Sequence, residues 1–324
     1  MRAENILEVD GLQTWFHTRK GVIKAVDSVS FSLRPGEILG LVGESGSGKS
    51  ITGLSILGLI DPPGRIVSGE VRYKGRNLVG LPEPEIRAIR GRNIAMIFQD
   101  PMMTLNPVLR IDTQMRWALA AHEQVDKNAA RARSLEVLRL VGIAAPEERL
   151  GSYPHELSGG MRQRIAIAIA MLNKPDILIA DEATTALDVT IQAQILSEMQ
   201  NLCAATGTAL IWITHDLSVV AGLADRVCVM YAGRIVEQGL VDDVLDRPMH
   251  HYTEGLIGSV PSMNARGKPL KQIAEITRSL FDLPSGCAFR NRCPKVIAGC
   301  SEPIPVLERN GHQFRCINPP VPAP

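Results

Sequence analysis

Apolar and polar residues come to alternate in the later part of residues 22–33. Ala25, Val26, Val29, Phe31 and Leu33 take the apolar positions, and a period of two predicts a half-buried strand. Residues 6–16 read as a second β segment, joined to the first through the polar turn Thr18-Arg19-Lys20-Gly21. A short apolar strand is predicted over 37–42 and a helix over 51–57, with a glycine-rich stretch between them. Strand patterns recur at 69–73 and 93–98, either side of a polar helical stretch at 82–90. Residues 100–107, with two prolines and exposed-looking methionines, read as a loop. The chain then turns helical over 111–150, where Ala132, Leu135, Leu138 and Val141 recur every three residues with charges between them. An apolar helix over 165–172 follows, then a strand over 177–182, a helix over 191–202 and a strand over 209–214. Two short strands over 226–239, a helix over 241–246 and another ending near Pro261 complete the pattern.

Strands and helices in this order describe an α/β fold, with 111–150 as a helical insert between its strands. The 324 residues allow one large or two modest domains, and 45% apolar with 21% charged residues is ordinary for a soluble chain with a real core. The net charge of +1 gives no nucleic-acid footprint. Residues 1–10 carry acids and no apolar core of a secretion signal. Nowhere do 18 apolar residues run together, so a membrane role has to come through a partner.

The chemistry concentrates at five places. Gly43-Glu44-Ser45-Gly46-Ser47-Gly48-Lys49-Ser50 reads G-x-x-x-x-G-K-S between a strand and a helix that opens at Ile51. Such a turn lets backbone N–H groups face a polyphosphate beside a helix N-terminus, with Lys49 on the β- and γ-phosphates and Ser50 on Mg²⁺. ATP is the expected ligand, and Phe16 or Trp15 is the candidate to stack on adenine. The run 177–182 ends in Asp181 and Glu182, and a continuous apolar strand carrying acids at its C-terminal end suits a central position with a ligand at its mouth. Asp181 is expected to hold Mg²⁺ through water, and Glu182 to orient or deprotonate the attacking water. His215, after the strand 209–214, stands where an imidazole could reach a γ-phosphate. Gln99 ends the strand over 93–98. Finally, Ser158 is a good N-cap, and Gly159 and Gly160 leave backbone N–H groups bare for an anion; read alone, this is a capped helix and no more.

Taken together, the loop at 43–50, Gln99, Leu157-Ser158-Gly159-Gly160, Asp181-Glu182, Ala186-Leu187-Asp188 and His215 resemble the nucleotide-binding subunit of an ABC transporter. The resemblance covers about residues 5–258. Phe98-Gln99-Asp100-Pro101-Met102, Leu105-Asn106-Pro107, residues 184–190 and His251-Tyr252-Thr253 narrow it to the oligopeptide/dipeptide (and nickel) importer ATPases. Ala183 departs from it, standing where many members carry proline. The resemblance implies an ABC-type P-loop NTPase core with an antiparallel β subdomain and a helical subdomain over about 104–172. It also implies a C-terminal extension over 259–324. Two ATPase subunits, a second copy or a related chain, would close head to tail, each ATP lying between one chain's phosphate loop and the other's Ser158-Gly159-Gly160. Lys49 and Ser50 would bind phosphate and Mg²⁺, Gln99 the metal and water; Glu182 would be the catalytic acid–base group, Asp188 an interface residue and His215 the γ-phosphate sensor. The partners implied are two membrane permease subunits, touched through residues 100–120, and indirectly a substrate-binding protein. The location implied is the cytoplasmic face of a bacterial inner membrane. A nickel or other small-solute importer, and a soluble ABC ATPase, are the alternative functions.

Cys287, Cys293, Cys300 and Cys316 are spaced C-x5-C-x6-C-x15-C, which is neither a zinc-ribbon nor a bacterial ferredoxin pattern. Four cysteines suffice for a [4Fe–4S] cluster, whose charge Arg290, Arg292 and Lys295 would balance; zinc and free thiols are the alternatives. The importer family's extension, similarly spaced, is associated with such a cluster. A small Pro-rich extension has little core of its own, so a metal staple makes physical sense. Cys203 and Cys228 read as buried small apolar residues, and the last eight residues, with four prolines, as a disordered tail.

Overall fold

The computed structural model describes residues 5–184, 189–261, 273, 280–281 and 283–320, with the backbone alone at 103 and 189–191. The chain divides into two compact units. One comprises residues 1–33, 38–80 and 212–324, the other residues 34–37 and 81–211.

In the first unit, β1 (Leu7–Thr18) pairs antiparallel with β2 (Gly21–Leu33), as the alternating pattern predicts. β3 (Ile38–Val42) leads into α1 (Lys49–Ile56); β4 (Gly64–Tyr73) and β5 (Arg76–Asn77) complete an antiparallel sheet of order β2-β1-β4-β5.

The second unit holds α2 (Glu83–Ile89), β6 (Ile94–Ile97), α3 (Pro101–Thr104), α4 (Ile111–Ala120), α5 (Lys127–Leu140), α6 (Pro146–Arg149), α7 (Gly159–Met171), β7 (Ile177–Asp181) and α8 (Val189–Thr206). β6 and β7 run parallel, Ile94 opposite Ile177 and Ile97 opposite Ala180. All five residues of β7 are buried, which explains why its sequence is an unbroken apolar run rather than an alternating one. Residues 101–104, expected as loop, form the single turn α3 because Pro101 sits at its first position and Asp100 Oδ1 accepts from Met102 N at 2.8 Å.

The division between the units falls within β8 (Ala209–Thr214), with residues 209–211 in the second unit and 212–214 in the first. The first unit continues through α9 (Leu217–Leu223), β9 (Arg226–Tyr231), β10 (Arg234–Leu240), α10 (Val241–Asp246) and α11 (His251–Ser259). α9 has no counterpart in the sequence reading; at seven residues it is too short to show a period. β3 pairs parallel with β9, and β9 antiparallel with β10.

The C-terminal extension carries two further strands, β11 (Leu307–Arg309) and β12 (His312–Phe314), and β12 pairs with β10. These C-terminal residues belong to the first unit's core: Phe289 and Phe314 are each 2% exposed. Of the eight residues expected as a tail, 317–320 are described, Asn318 O lying 2.9 Å from His251 Nε2, and 321–324 lie outside the described residues.

Candidate ATP site

In the first unit the phosphate loop is fixed by its backing strands. Gly48 has φ 105°, and a Cβ there would stand 2.2 Å from Ala25 O. At Gly43 a Cβ would stand 2.1 Å from Met230 O. Glycine is thus required at both ends of the loop by close backbone approach, and at Gly48 also by its left-handed conformation. Gly233 N donates to Ser47 O at 2.9 Å, tying the loop to the β9–β10 turn. Lys49 is 4% exposed, and its Nζ donates to Gly43 O at 2.8 Å and Glu44 O at 2.9 Å. The ammonium therefore lies along the rim of its own loop. Ser45 and Gly46 are exposed, and Ser50 and Ile51 are half-buried in the first turn of α1, where helix N–H groups lack intrahelical partners.

Phe16 is half-buried on β1 opposite Gly64, and a Cβ on Gly64 would come within 2.6 Å of its ring. Trp15 lies under Lys24, whose Nζ is 4.7 Å from the ring centroid. His215 is exposed directly after β8, and Asp216 caps α9 by accepting from Ser218 N at 2.9 Å.

In the second unit the register of β6 against β7 brings two predicted residues together. Gln99 and Glu182 each lie two positions past the paired residues Ile97 and Ala180. Gln99 Nε2 donates to Glu182 Oε2 at 3.0 Å. Glu182 has φ 46°, a left-handed conformation that a side chain of its size rarely takes. Strain of this kind persists where the surroundings over-determine it, and it collects at functional sites. Asp181, 7% exposed, closes β7. Ser158 caps α7 as expected, its Oγ accepting from Met161 N at 3.3 Å, and Ser158 and Gly159 are exposed. Asp188 lies outside the described residues.

The sequence reading missed the side of the loop that faces the extension. Arg292, expected to balance a cluster's charge, instead forks onto Glu44: Nη1 to Oε2 at 2.7 Å and Nη2 to Oε1 at 2.9 Å. Glu44 N donates to Tyr252 Oη at 2.8 Å. A signal was present, since a carboxylate inside a phosphate-type loop calls for a compensating cation. Burial pushes Tyr231 and Tyr252 up, keeping both phenols neutral, while His250 is held down to about 3 by burial and the neighbouring His251. The Glu44 hydrogen bond raises Arg292.

Cys287, Cys293, Cys300 and Cys316 line one recess with His250, Phe289 and Ile317. Burial raises Cys287 and Cys293, and pushes Cys316 up to about 11, with the other cysteines' charge adding to each shift. Thiolates there need a counter-charge. Among the described residues no three His, Cys, Asp or Glu side chains are gathered to hold a single metal ion. Cys203 and Cys228 are buried, as expected.

A glycine loop between strand and helix, with a buried parallel strand ending in two acids, defines a phosphate-loop nucleotide-binding cassette. The profile described as ABC transporter matches residues 26–185, and that described as oligopeptide/dipeptide transporter, C-terminal region, matches residues 236–300. A probable peptide ABC transporter ATP-binding protein of Sinorhizobium fredii is 50% identical over 97% of this chain and 95% of its own. The dipeptide transport ATP-binding protein DppD of Bacillus subtilis is 48% identical over 97% of this chain and 94% of its own. The oligopeptide transport ATP-binding protein OppD of Escherichia coli is 45% identical over 99% and 95%. Among solved structures, a dimeric ATP-binding cassette in a post-hydrolysis state bound to ADP and Pi superposes with a TM-score of 0.65 at 26% identity, covering 72% of this chain and 98% of that one. The chain belongs to the ABC transporter family, as an ATP-hydrolysing ATP-binding subunit of the branch that carries the oligopeptide/dipeptide transporter C-terminal region. No helix among the described residues is long and apolar enough to cross a membrane.

Proposed function

We propose that the chain is the motor subunit of an importer for di- or oligopeptides, working at the cytoplasmic face of a bacterial inner membrane. It would act as one of two ATPase subunits beneath two permease subunits, with a substrate-binding protein delivering the cargo. The printed names of its relatives, all peptide-transport ATP-binding proteins, support the cargo class. The observation that carries the enzymatic reading is Glu182, held by Gln99 in a strained backbone conformation at the end of a wholly buried strand.

The loop 43–51 binds the polyphosphate, and Lys49 swings from its carbonyls to the β- and γ-phosphates. Phe16 stacks on adenine. Ser50, Gln99 and Asp181 hold Mg²⁺, which when bound neutralises developing phosphate charge. Glu182 takes the proton of the attacking water, Gln99 fixes that carboxylate's orientation, and His215 contacts the γ-phosphate. Ser158 and Gly159, exposed at a helix start, and the half-buried Gly160 contact the nucleotide of the opposing subunit, and Asp188 lies at that interface.

The same proposal gives Cys287, Cys293, Cys300 and Cys316 to a [4Fe–4S] cluster, which supplies a structural staple. That the four thiols line one recess is the observation on which this reading rests, and zinc is its alternative. The test is ATP turnover of the chain purified anaerobically with its permease, with iron and acid-labile sulfide counted alongside. Turnover that depends on permease, rises with peptide-loaded binding protein and falls about 10²–10⁴-fold in Glu182→Gln supports the motor. Turnover indifferent to peptide or unchanged in Glu182→Gln refutes the corresponding assignment, and zinc in place of iron removes the cluster alone.

A further inference from the structure

The phosphate loop contains a carboxylate, an unfavourable charge where a polyphosphate is to sit. Glu44 escapes that conflict through a residue from the far end of the chain. Arg292 lies five residues after Cys287 and directly before Cys293, and its side chain is 4% exposed against 28% for Glu44. Both Nη atoms engage both carboxylate oxygens, at 2.7 and 2.9 Å, a two-pronged geometry that fixes direction as well as distance. The guanidinium is set from behind by the rings of Tyr231 and Phe289, each centroid 5.8 Å from Cζ. Tyr252 takes the remaining freedom of the same residue by accepting Glu44 N–H at 2.8 Å. Glu44 is thus held by main chain and side chain together.

Resting on the ATP-site reading above, the geometry points to Arg292 as a positioning residue for nucleotide: it neutralises Glu44 and holds the start of the phosphate loop in the form that receives ATP. Without it, the polyphosphate meets an uncompensated carboxylate, and the loop has to be ordered as the nucleotide binds. Because Arg292 stands between two of the four cysteines, nucleotide affinity is thereby linked to the fold of the cysteine segment. Such a linkage is reciprocal, so bound nucleotide also steadies that segment.

The test is calorimetric titration of the full chain with ATP in the absence of Mg²⁺, for the unaltered protein, Arg292→Gln, Glu44→Gln and the double variant. Arg292→Gln is expected to weaken ATP binding about 5–20-fold, and the loss is expected to shrink as salt is raised. The double variant, with no charge left to neutralise, is expected to recover to within about threefold of the unaltered protein, which loss of the segment's fold could not produce. Arg292→Lys keeps the charge and loses the fork, and serves if Arg292→Gln does not fold; its expected loss is about 2–5-fold. Affinity within about twofold of the unaltered protein in both Arg292 variants overturns the inference, as does a double variant no tighter than Arg292→Gln. An unaltered chain that binds no ATP refutes the ATP-site reading itself, a separate and recognisable outcome.

Discussion

Glu237 offers the sharpest stability test in the molecule. It is fully buried, and its carboxylate gathers three donors: Met249 N at 2.5 Å, His250 N at 3.0 Å and His312 Nε2 at 2.7 Å. Two of those donors hold the chain at the start of α11, and the third comes from β12. Glu237→Ala leaves all three without their acceptor at a buried position. At about 1–3 kcal/mol for each unsatisfied buried group, and with partial relief from relaxation, the loss should be about 3–5 kcal/mol. For a unit of this size about 2–4 °C accompanies each kcal/mol, so the melting temperature should fall by about 6–20 °C. His312→Ala removes one donor and leaves two, for an expected loss of about 1–2 kcal/mol. The two substitutions share a contact, so the double variant should be less destabilised than their sum by about 1 kcal/mol or more. Differential scanning calorimetry of the four proteins at one pH measures this directly. A Glu237→Ala chain melting within about 1 °C of the parent, or strictly additive losses, would refute the idea that this carboxylate joins α11 and β12.

Three further outcomes are expected. Gly48→Ala meets both a left-handed φ and Ala25 O at 2.2 Å, so it should abolish binding of a fluorescent ATP analogue while leaving far-ultraviolet dichroism nearly unchanged; retained binding would show that the loop can relax. His250, depressed from 6.5 to about 3, binds its proton in the unfolded chain before the folded one, so stability should be lost as pH falls from about 6.5 towards about 3. His250→Asn keeps a side-chain acceptor for Tyr252 N and should flatten that part of a urea-midpoint-against-pH curve; an unaltered slope would place the acid sensitivity elsewhere. Cys203, pushed up to about 12 by burial, should be silent to a thiol reagent at neutral pH in the folded chain and react fully in guanidinium chloride.

The strand, glycine loop and helix around residues 43–50 and the buried strand β7 were legible in the sequence because local chemistry dictates them. A phosphate loop needs its glycines and lysine at fixed spacing, and a strand buried on both faces needs an apolar run such as 177–180, so order and spacing survive into the fold. The meeting of Gln99 with Glu182 was not legible. It depends on the β6–β7 register, which pairing geometry sets rather than either strand's own pattern. The strands β11 and β12 were not legible for a related reason. Short polar strands such as Leu307–Arg309 and His312–Phe314 carry no periodicity of their own, and they form by pairing onto an edge that sequence cannot point to. Arg292 was read against its neighbours in sequence, whereas its partner is 248 residues away.

Pairing of β12 on β10 also sets a timetable for the chain's birth. Gln313 is 75 residues downstream of its partner Gln238, so at about 5–20 residues per second the ribosome adds it about 4–15 s later. Throughout that interval β10 has already been made, but the strand that covers its outer edge has not. An uncovered strand edge is a template for pairing with another chain. The growing subunit therefore passes through a window in which crowding on one messenger, or a pause within the cysteine segment, favours joining of neighbouring nascent chains. Slower translation over residues 241–314 lengthens that window.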